Sequence, residues 1–292
     1  MKKLIYILSI ISLTFVGCQD LEEETNKEGD SSSLKNITEE EEKEDVIPEN
    51  NDMRLIKIEY WVDGNLESVD EFKYNDKNQI IEYTNTILFF YGKNGKEYLT
   101  ENTPKKLITY EYENDNIIST ILSSYDNEMK KNTRYFCHEY NSDNLLVKTI
   151  SFDKKAYGLY TYNESNLPIK IILYDNEGNE SALQTFDYLK ENVIKYTEDY
   201  YTVQLLRNIV YKHNDMVNPK SLIFPKNYID INYIYIDPVF SSRNFTIEKQ
   251  IYFPNYGAKD IEYFEVIKSN NNLPIEVKDF SKDQIIKYYY SS

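Results

Sequence analysis

Tyr160-Thr161-Tyr162-Asn163-Glu164-Ser165-Asn166-Leu167-Pro168 reads as aromatic, polar, aromatic, a short Asn-rich turn and an apolar pair, and variants of it return along most of the chain. Its relatives run from Phe72-Lys73-Tyr74 to Ile80-Ile81, from Tyr110-Glu111-Tyr112 to Ile117-Ile118, and from His138-Glu139-Tyr140 to Leu145-Leu146. Two more run from Phe186-Asp187-Tyr188 to Val193-Ile194 and from Tyr211-Lys212-His213 to Asn218-Pro219. The second aromatic positions, 112, 140, 162, 188 and 213, are spaced by 28, 22, 26 and 25 residues. Such a period belongs to chains built by repeating one supersecondary unit.

Alternation along a strand sends successive side chains to opposite faces, so the residue between the two aromatics reports on the other face. Those residues are Lys73, Glu111, Glu139, Thr161, Asp187 and Lys212, all polar. An aromatic face backed by a polar one is the pattern of an antiparallel sheet packed on one side and wet on the other. The Asn/Asp-rich segment suits a reversal, because these side chains bond nearby backbone and tolerate left-handed conformations. One repeat is therefore one β-hairpin. The recurring Tyr serve a core and cross-strand pairs, with a sugar- or peptide-binding platform as the alternative.

Asp63-Gly64 between two alternating runs, Arg54 to Val62 and Asn65 to Tyr74, predicts a tight hairpin. Asn94-Gly95 and Glu177-Gly178 mark further reversals. Near residues 214–245 the pattern breaks around Pro219, Pro225 and Pro238, predicting a non-repeat excursion that covers an open end of the sheet or carries a binding surface. Strands resume through Thr246–Phe253, Ile261–Ile267, Leu273–Phe280 and Ile285–Tyr290. The expectation is an all-β antiparallel meander of about 15 to 18 strands, rolled into a wide barrel, a half-barrel or a two-layer sheet, since flat sheets of that width curl or split.

The 292 residues carry a net charge of −16, which excludes a nucleic-acid partner that would need clustered Lys and Arg. Residues 20–49 hold 13 acidic and 3 basic residues, so much of that charge precedes the repeats. The expected organisation is a signal peptide at 1–17, a lipidated Cys18 with an acidic tether at 18–50, and one Tyr-rich β-repeat domain at 51–292. Lys2, Lys3 and an apolar run from Leu4 to Val16 lead into Phe15-Val16-Gly17-Cys18. This run resembles the lipobox of bacterial lipoproteins, with Phe15 where that family favours Leu. The resemblance implies lipidation at Cys18 and a membrane partner through the acyl chains. The acidic run Asp20-Leu21-Glu22-Glu23-Glu24 resembles the surface-export signal of Bacteroidota lipoproteins, implying an outer-membrane protein facing the cell surface, with the periplasmic face as the alternative. A membrane-spanning barrel is disfavoured by that signal, by the charged non-aromatic face and by the Ser291-Ser292 ending.

The aromatic-polar-aromatic unit with its Asn/Asp turn resembles the YD repeats of Rhs-type shells, without the Gly-Arg that follows the turn there. It is more similar to a family of Bacteroidota lipoproteins whose lipobox and acidic tether precede Tyr-rich β repeats with turns like Asn166-Leu167-Pro168, Asn218-Pro219 and Asn272-Leu273-Pro274. That resemblance implies a porin-like or rolled sheet and supplies no activity.

Chemistry is sparse. His138 and His213 are the 2 histidines, both at aromatic positions of the repeat, where packing is their expected role. Cys137 and His138, as strand neighbours, point to opposite faces and cannot share a proton. With Cys18 lipidated, Cys137 is expected to be a lone, inert thiol. Asp175-Asn176-Glu177-Gly178-Asn179-Glu180 lacks the full spacing of a calcium loop and sits where a turn is expected. No cofactor, metal site or catalytic set is predicted. The reading is a non-enzymatic envelope lipoprotein binding a glycan or protein partner. The alternatives are an assembly component of an envelope complex and a hydrolase using carboxylates near 214–245.

Overall fold

In the computed structural model, residues 49–292 form one compact unit, and the residues described are 53–92, 95–98, 104–125, 131–152, 155–224, 228 and 242–291, with side chains throughout except at 89–104. Cys18, the tether and the Asn94 reversal lie outside them. The strands are β1 (Arg54–Val62), β2 (Asn65–Tyr74), β3 (Ile80–Ile87), β4 (Phe89–Gly92), β5 (Gly95–Tyr98), β6 (Pro104–Glu113), β7 (Asn116–Tyr125), β8 (Lys131–Tyr140) and β9 (Leu146–Ser151). There follow β10 (Tyr157–Tyr162), β11 (Pro168–Tyr174), β12 (Glu180–Leu189), β13 (Asn192–Tyr200), β14 (Leu205–Val217), β15 (Asn244–Phe253), β16 (Ala258–Asn270), β17 (Leu273–Asp279) and β18 (Gln284–Ser291).

All but β4 and β5 join one closed barrel of 16 strands, each antiparallel to its sequence neighbour, with β3 beside β6 and β1 beside β18. β4 and β5 form a separate hairpin between β3 and β6. Of the rolled forms the sequence allows, the chain adopts the barrel. We call the end where β1 begins and β18 finishes the entry end, and the other the far end.

The repeat becomes a hairpin at the entry end. In five of these hairpins the register slips just before the second aromatic, which then faces an apolar residue: Tyr74 opposite Ile80, Tyr112 opposite Ile117, Tyr140 opposite Leu146, Tyr162 opposite Pro168, and Tyr188 opposite Val193. Each slip is a β-bulge, which bends and twists the strand locally. Three of the intervening loops share one device. Asn75, Asn141 and Asn163 each accept two backbone N–H bonds with Oδ1, and Asn78, Asn144 and Asn166 take φ of 59°, 59° and 61°. Asn tolerates this left-handed region better than most residues. Asp63 and Gly64, at φ 51° and 72°, make the two-residue turn expected between β1 and β2.

Both aromatics of a repeat point inward and the residue between them outward. Phe72, Tyr110, His138, Tyr160, Phe186 and Tyr211 are buried, while Lys73, Glu111, Glu139, Thr161, Asp187 and Lys212 are exposed. The second Tyr also reaches back to the preceding strand: Tyr74 donates to Leu55 O (2.7 Å), Tyr140 to Ile117 O (2.9 Å) and Tyr162 to Leu146 O (2.7 Å). Phe72 stacks on Tyr83 across strands with ring centroids 5.4 Å apart, and Phe186 lies 5.1 Å from Tyr196.

A barrel of this strand number has room inside for a channel. Here large side chains occupy the interior, and the β14–β15 connection adds to them: Ile223, Phe224 and Tyr228 pack in the same buried cluster. The strand alternation runs through Val217 and resumes at Asn244, so the break is narrower than residues 214–245. Asn218 pins its ends, donating from N–H to Arg243 O (2.9 Å) and from Nδ2 to Ser242 O (3.0 Å), while Ser242 Oγ accepts from Val193 N–H (3.0 Å).

The outer wall carries cross-strand ion pairs: Lys73–Glu82 (2.6 Å), Lys212–Glu248 (2.9 Å) and Lys268–Glu276 (2.9 Å). Exposed pairs contribute at most about 1 kcal/mol each to stability, but each Lys facing acyl chains at a membrane midplane would cost about 2–4 kcal/mol.

If the Tyr hydroxyl bonds fasten each hairpin to the strand before it, Tyr162→Phe should lower the unfolding free energy by about 1 kcal/mol, since Leu146 O loses its partner. Urea denaturation checks this; an unchanged midpoint would show that the ring alone does the fastening.

Candidate functional site

The interior polar groups come first, because an active site would need them free. Asp70, on β2, accepts from Asn85 Nδ2 (2.8 Å), Tyr60 OH (2.9 Å) and Tyr83 OH (3.0 Å). Burial pushes its carboxyl above the ordinary value, and those bonds with the charge of Lys220 from the β14–β15 connection restrain the rise. Glu198, on β13, pairs with Arg207 and accepts from Tyr200 OH (2.7 Å), Tyr196 OH (3.1 Å) and Gln184 Nε2 (3.3 Å). Lys249 and Glu262 pair at 3.2 Å inside the wall. These three sets hold two or more strands together, which is what makes their burial tolerable; buried Asp279, at the end of β17, instead accepts with Oδ1 from Ser281 N–H (3.0 Å) and pairs with Lys282 (3.7 Å) in its own turn.

His138 points inward and Cys137 outward, as strand neighbours must. Nε2 lies 2.8 Å from Thr120 Oγ1 and Nδ1 2.9 Å from Thr149 Oγ1, so one donor and one acceptor nitrogen of a neutral ring are both satisfied. Tyr228 meets the ring edge-on with centroids 5.4 Å apart. Thr120 and Thr149 are fully buried, and the cluster belongs to the core. His213 bonds Val193 O through Nε2 (2.8 Å) and bridges β13 to β15. Asp175 gives its Oδ1 to the N–H groups of Glu177 and Asn179, a hairpin turn closed by Gly178 at φ 86°. Of the carboxylates in 214–245 only Asp215 is described, and it is exposed at the entry end. The repeat Tyr, facing inward, line the core and offer no outer platform.

A surface feature lies on the outer wall of β1, β18 and β17, at residues the repeat does not mark. Register alone sets it out: Lys57 faces Tyr289, Glu59 faces Lys287, and Trp61 faces Ile285. Glu59 ties the row together, accepting from Tyr289 OH (2.6 Å), Lys57 Nζ (2.8 Å) and Trp61 Nε1 (3.1 Å). Burial raises the Glu59 carboxyl, and the three bonds outweigh it, leaving it below its ordinary range. Lys57 lies 4.0 Å over the Tyr289 ring and Lys287 4.4 Å over Trp61. Toward the far end the row opens into a groove of about 340 Å³, floored by Trp61 and Ile285 and rimmed by Lys278, Lys287, Glu276 and Asp283. The sequence signal for it is that Trp61, the single Trp, falls on the polar face of an alternating strand.

Among solved structures, a porin-like protein from Bacteroides uniformis superposes with a TM-score of 0.52 at 10% identity, covering 81% of this chain and 98% of its own. A porin-like protein from Bacteroides vulgatus gives 0.37 at 10% identity, covering 82% and 99%. The chain therefore has the fold of a porin-like closed barrel. No family model and no curated protein sequence matches it.

Burial lowers the His138 pKa from 6.5 to about 4. Between those values the unfolded chain takes up a proton that the folded chain refuses, so folding loses stability as pH falls. From pH 7 to pH 5 the loss traceable to this group is about 2 kcal/mol. Urea titrations at both pH values should show it in the wild type and not in His138→Gln; an equal loss in both would assign the pH response to other groups.

Proposed function

We propose that this protein is a non-enzymatic lipoprotein of the cell envelope, anchored in the outer membrane through Cys18 and displaying its barrel at the surface as a binding module for a glycan or protein partner. The observation that carries this reading is the polarity of the wall. Ion pairs such as Lys212–Glu248, midway along β14 and β15 on the outside, and aromatics within suit a barrel held beside a membrane in water, not a pore through one. The lipobox-like Phe15-Val16-Gly17-Cys18 supplies the attachment such a barrel needs. Asp70, Glu198 and His138 are consumed in bonds between strands, which supports a role without catalysis.

A second reading, a component of an envelope assembly, is favoured by the far end. Phe152, Tyr201, Tyr256 and Phe280 stand 77%, 40%, 68% and 51% exposed on four different turns there. β1 starts at the opposite end of the barrel from these aromatics.

Protease added to intact cells should shave the wild-type barrel, and Cys18→Ala should release it from the membrane fraction. Protection until the outer membrane is opened would place the barrel on the periplasmic side, and turnover of a polysaccharide or peptide by the purified protein would end the non-enzymatic reading.

A further inference from the structure

We propose that the groove at Trp61 is a binding site for a neutral oligosaccharide; this rests on the binding-module reading above and names its ligand and its residues. Three properties of the groove carry it.

The first is the indole. Trp61 is the only Trp in the chain and lies on the wet face, while the buried aromatics among the described residues, Phe136 apart, belong to the core cluster. Its ring is set in place by the bond from Nε1 to Glu59 (3.1 Å). A flat, oriented aromatic at low conformational cost is what the C–H face of a sugar ring stacks on.

The second is the mixture of donors and acceptors on the rim. Lys278 and Lys287 carry ammonium donors, and Glu276 and Asp283 with Asp63 from the β1–β2 turn carry carboxylate acceptors; Lys278 and Asp283 pair with each other at 3.3 Å and keep their remaining donor and acceptor positions toward the groove. Hydroxyl groups both donate and accept, so a hydroxyl-rich ligand matches a rim of both signs. A polyanion would meet three carboxylates on a chain whose net charge is already negative. Lys287 is the available donor. Its neighbour across one strand, Glu59, is held by Lys57, Tyr289 and Trp61, and its neighbour across the other, Glu276, is held by Lys268 at 2.9 Å. Among the described residues the Lys287 ammonium makes no ion pair and rests 4.4 Å over the Trp61 ring. A flexible four-carbon stem lets it swing to a ligand oxygen and uncover the indole.

The third is closure. An extended peptide gains affinity by adding to a sheet edge, and a closed barrel has none, so a peptide here would have side-chain contacts alone.

Trp61 emission reports on this groove and nothing else. The full chain carrying Cys18→Ala, titrated with neutral hexasaccharides (cellohexaose, xylohexaose, mannohexaose) and with galacturonate hexamer as the acidic counterpart, should show a saturable emission change with at least one neutral sugar. By calorimetry, Trp61→Ala and Lys287→Ala should each weaken that sugar at least tenfold, while Lys170→Ala, on β11 across the barrel, leaves it unchanged. Sugar binding that leaves emission unmoved and survives Trp61→Ala would overturn the site but keep the glycan-binding module. Tighter binding of the acidic hexamer than of every neutral one would overturn the ligand class. If no sugar binds, the proposal falls, and the binding-module reading passes to protein partners at the far end.

Discussion

Every N–H and C=O along one side of β1 and of β18 would be left unpaired if the two ends of the sheet did not meet. Their meeting, from Arg54 opposite Ser291 to Val62 opposite Gln284, is the constraint on which the rest of the structure depends. A sheet this wide closes only if it curls steadily, and the repeat supplies the curl. Each slip before Tyr74, Tyr112, Tyr140, Tyr162 or Tyr188 adds one residue to the following strand and bends it at the same end of the barrel. The repeat is thus a device for curvature as much as for burial.

Closure then creates a second problem, an interior wide enough to fill with water. The chain meets it with aromatic side chains at two positions per repeat and with Ile223, Phe224 and Tyr228 from the β14–β15 connection. Three sets of interior polar groups are bonded together: Asp70 with Tyr60, Tyr83 and Asn85, Glu198 with Arg207 and two Tyr, His138 with two Thr. With the core inside, charge moves to the outer wall. The result shares a strand architecture with porin-like proteins and carries ion pairs such as Lys212–Glu248 on its outer wall.

Much of this was legible residue by residue. Alternation showed which of Phe72, Lys73 and Tyr74 would be wet, because a period of two leaves no other choice once one face must be buried. Asp63-Gly64 and the Asn of Asn163-Glu164-Ser165-Asn166 announced their turns through local backbone chemistry alone. The opposed directions of Cys137 and His138 followed from the same alternation. The Trp61 groove was not legible. Trp61 and Glu59 belong to the first strand, Ile285, Lys287 and Tyr289 to the last, and nothing local says that these strands are neighbours. The partners of Asp70 and Glu198 were hidden for the same reason, and so was the inward path of Ile223 and Phe224.

What the sequence by itself determined was the unit: an aromatic-in, polar-out hairpin with its turn, repeated often enough that the sheet had to roll up. That information is local, carried by side-chain alternation and by Asn, Asp and Gly at the reversals. Only the tertiary structure decided that the sheet closes instead of stopping as a half-barrel, that Ile223, Phe224 and Tyr228 pack in the interior, and that β1 and β18 set Trp61 beside Lys287. Those outcomes depend on pairing residues more than two hundred positions apart, and no local preference carries information over that distance.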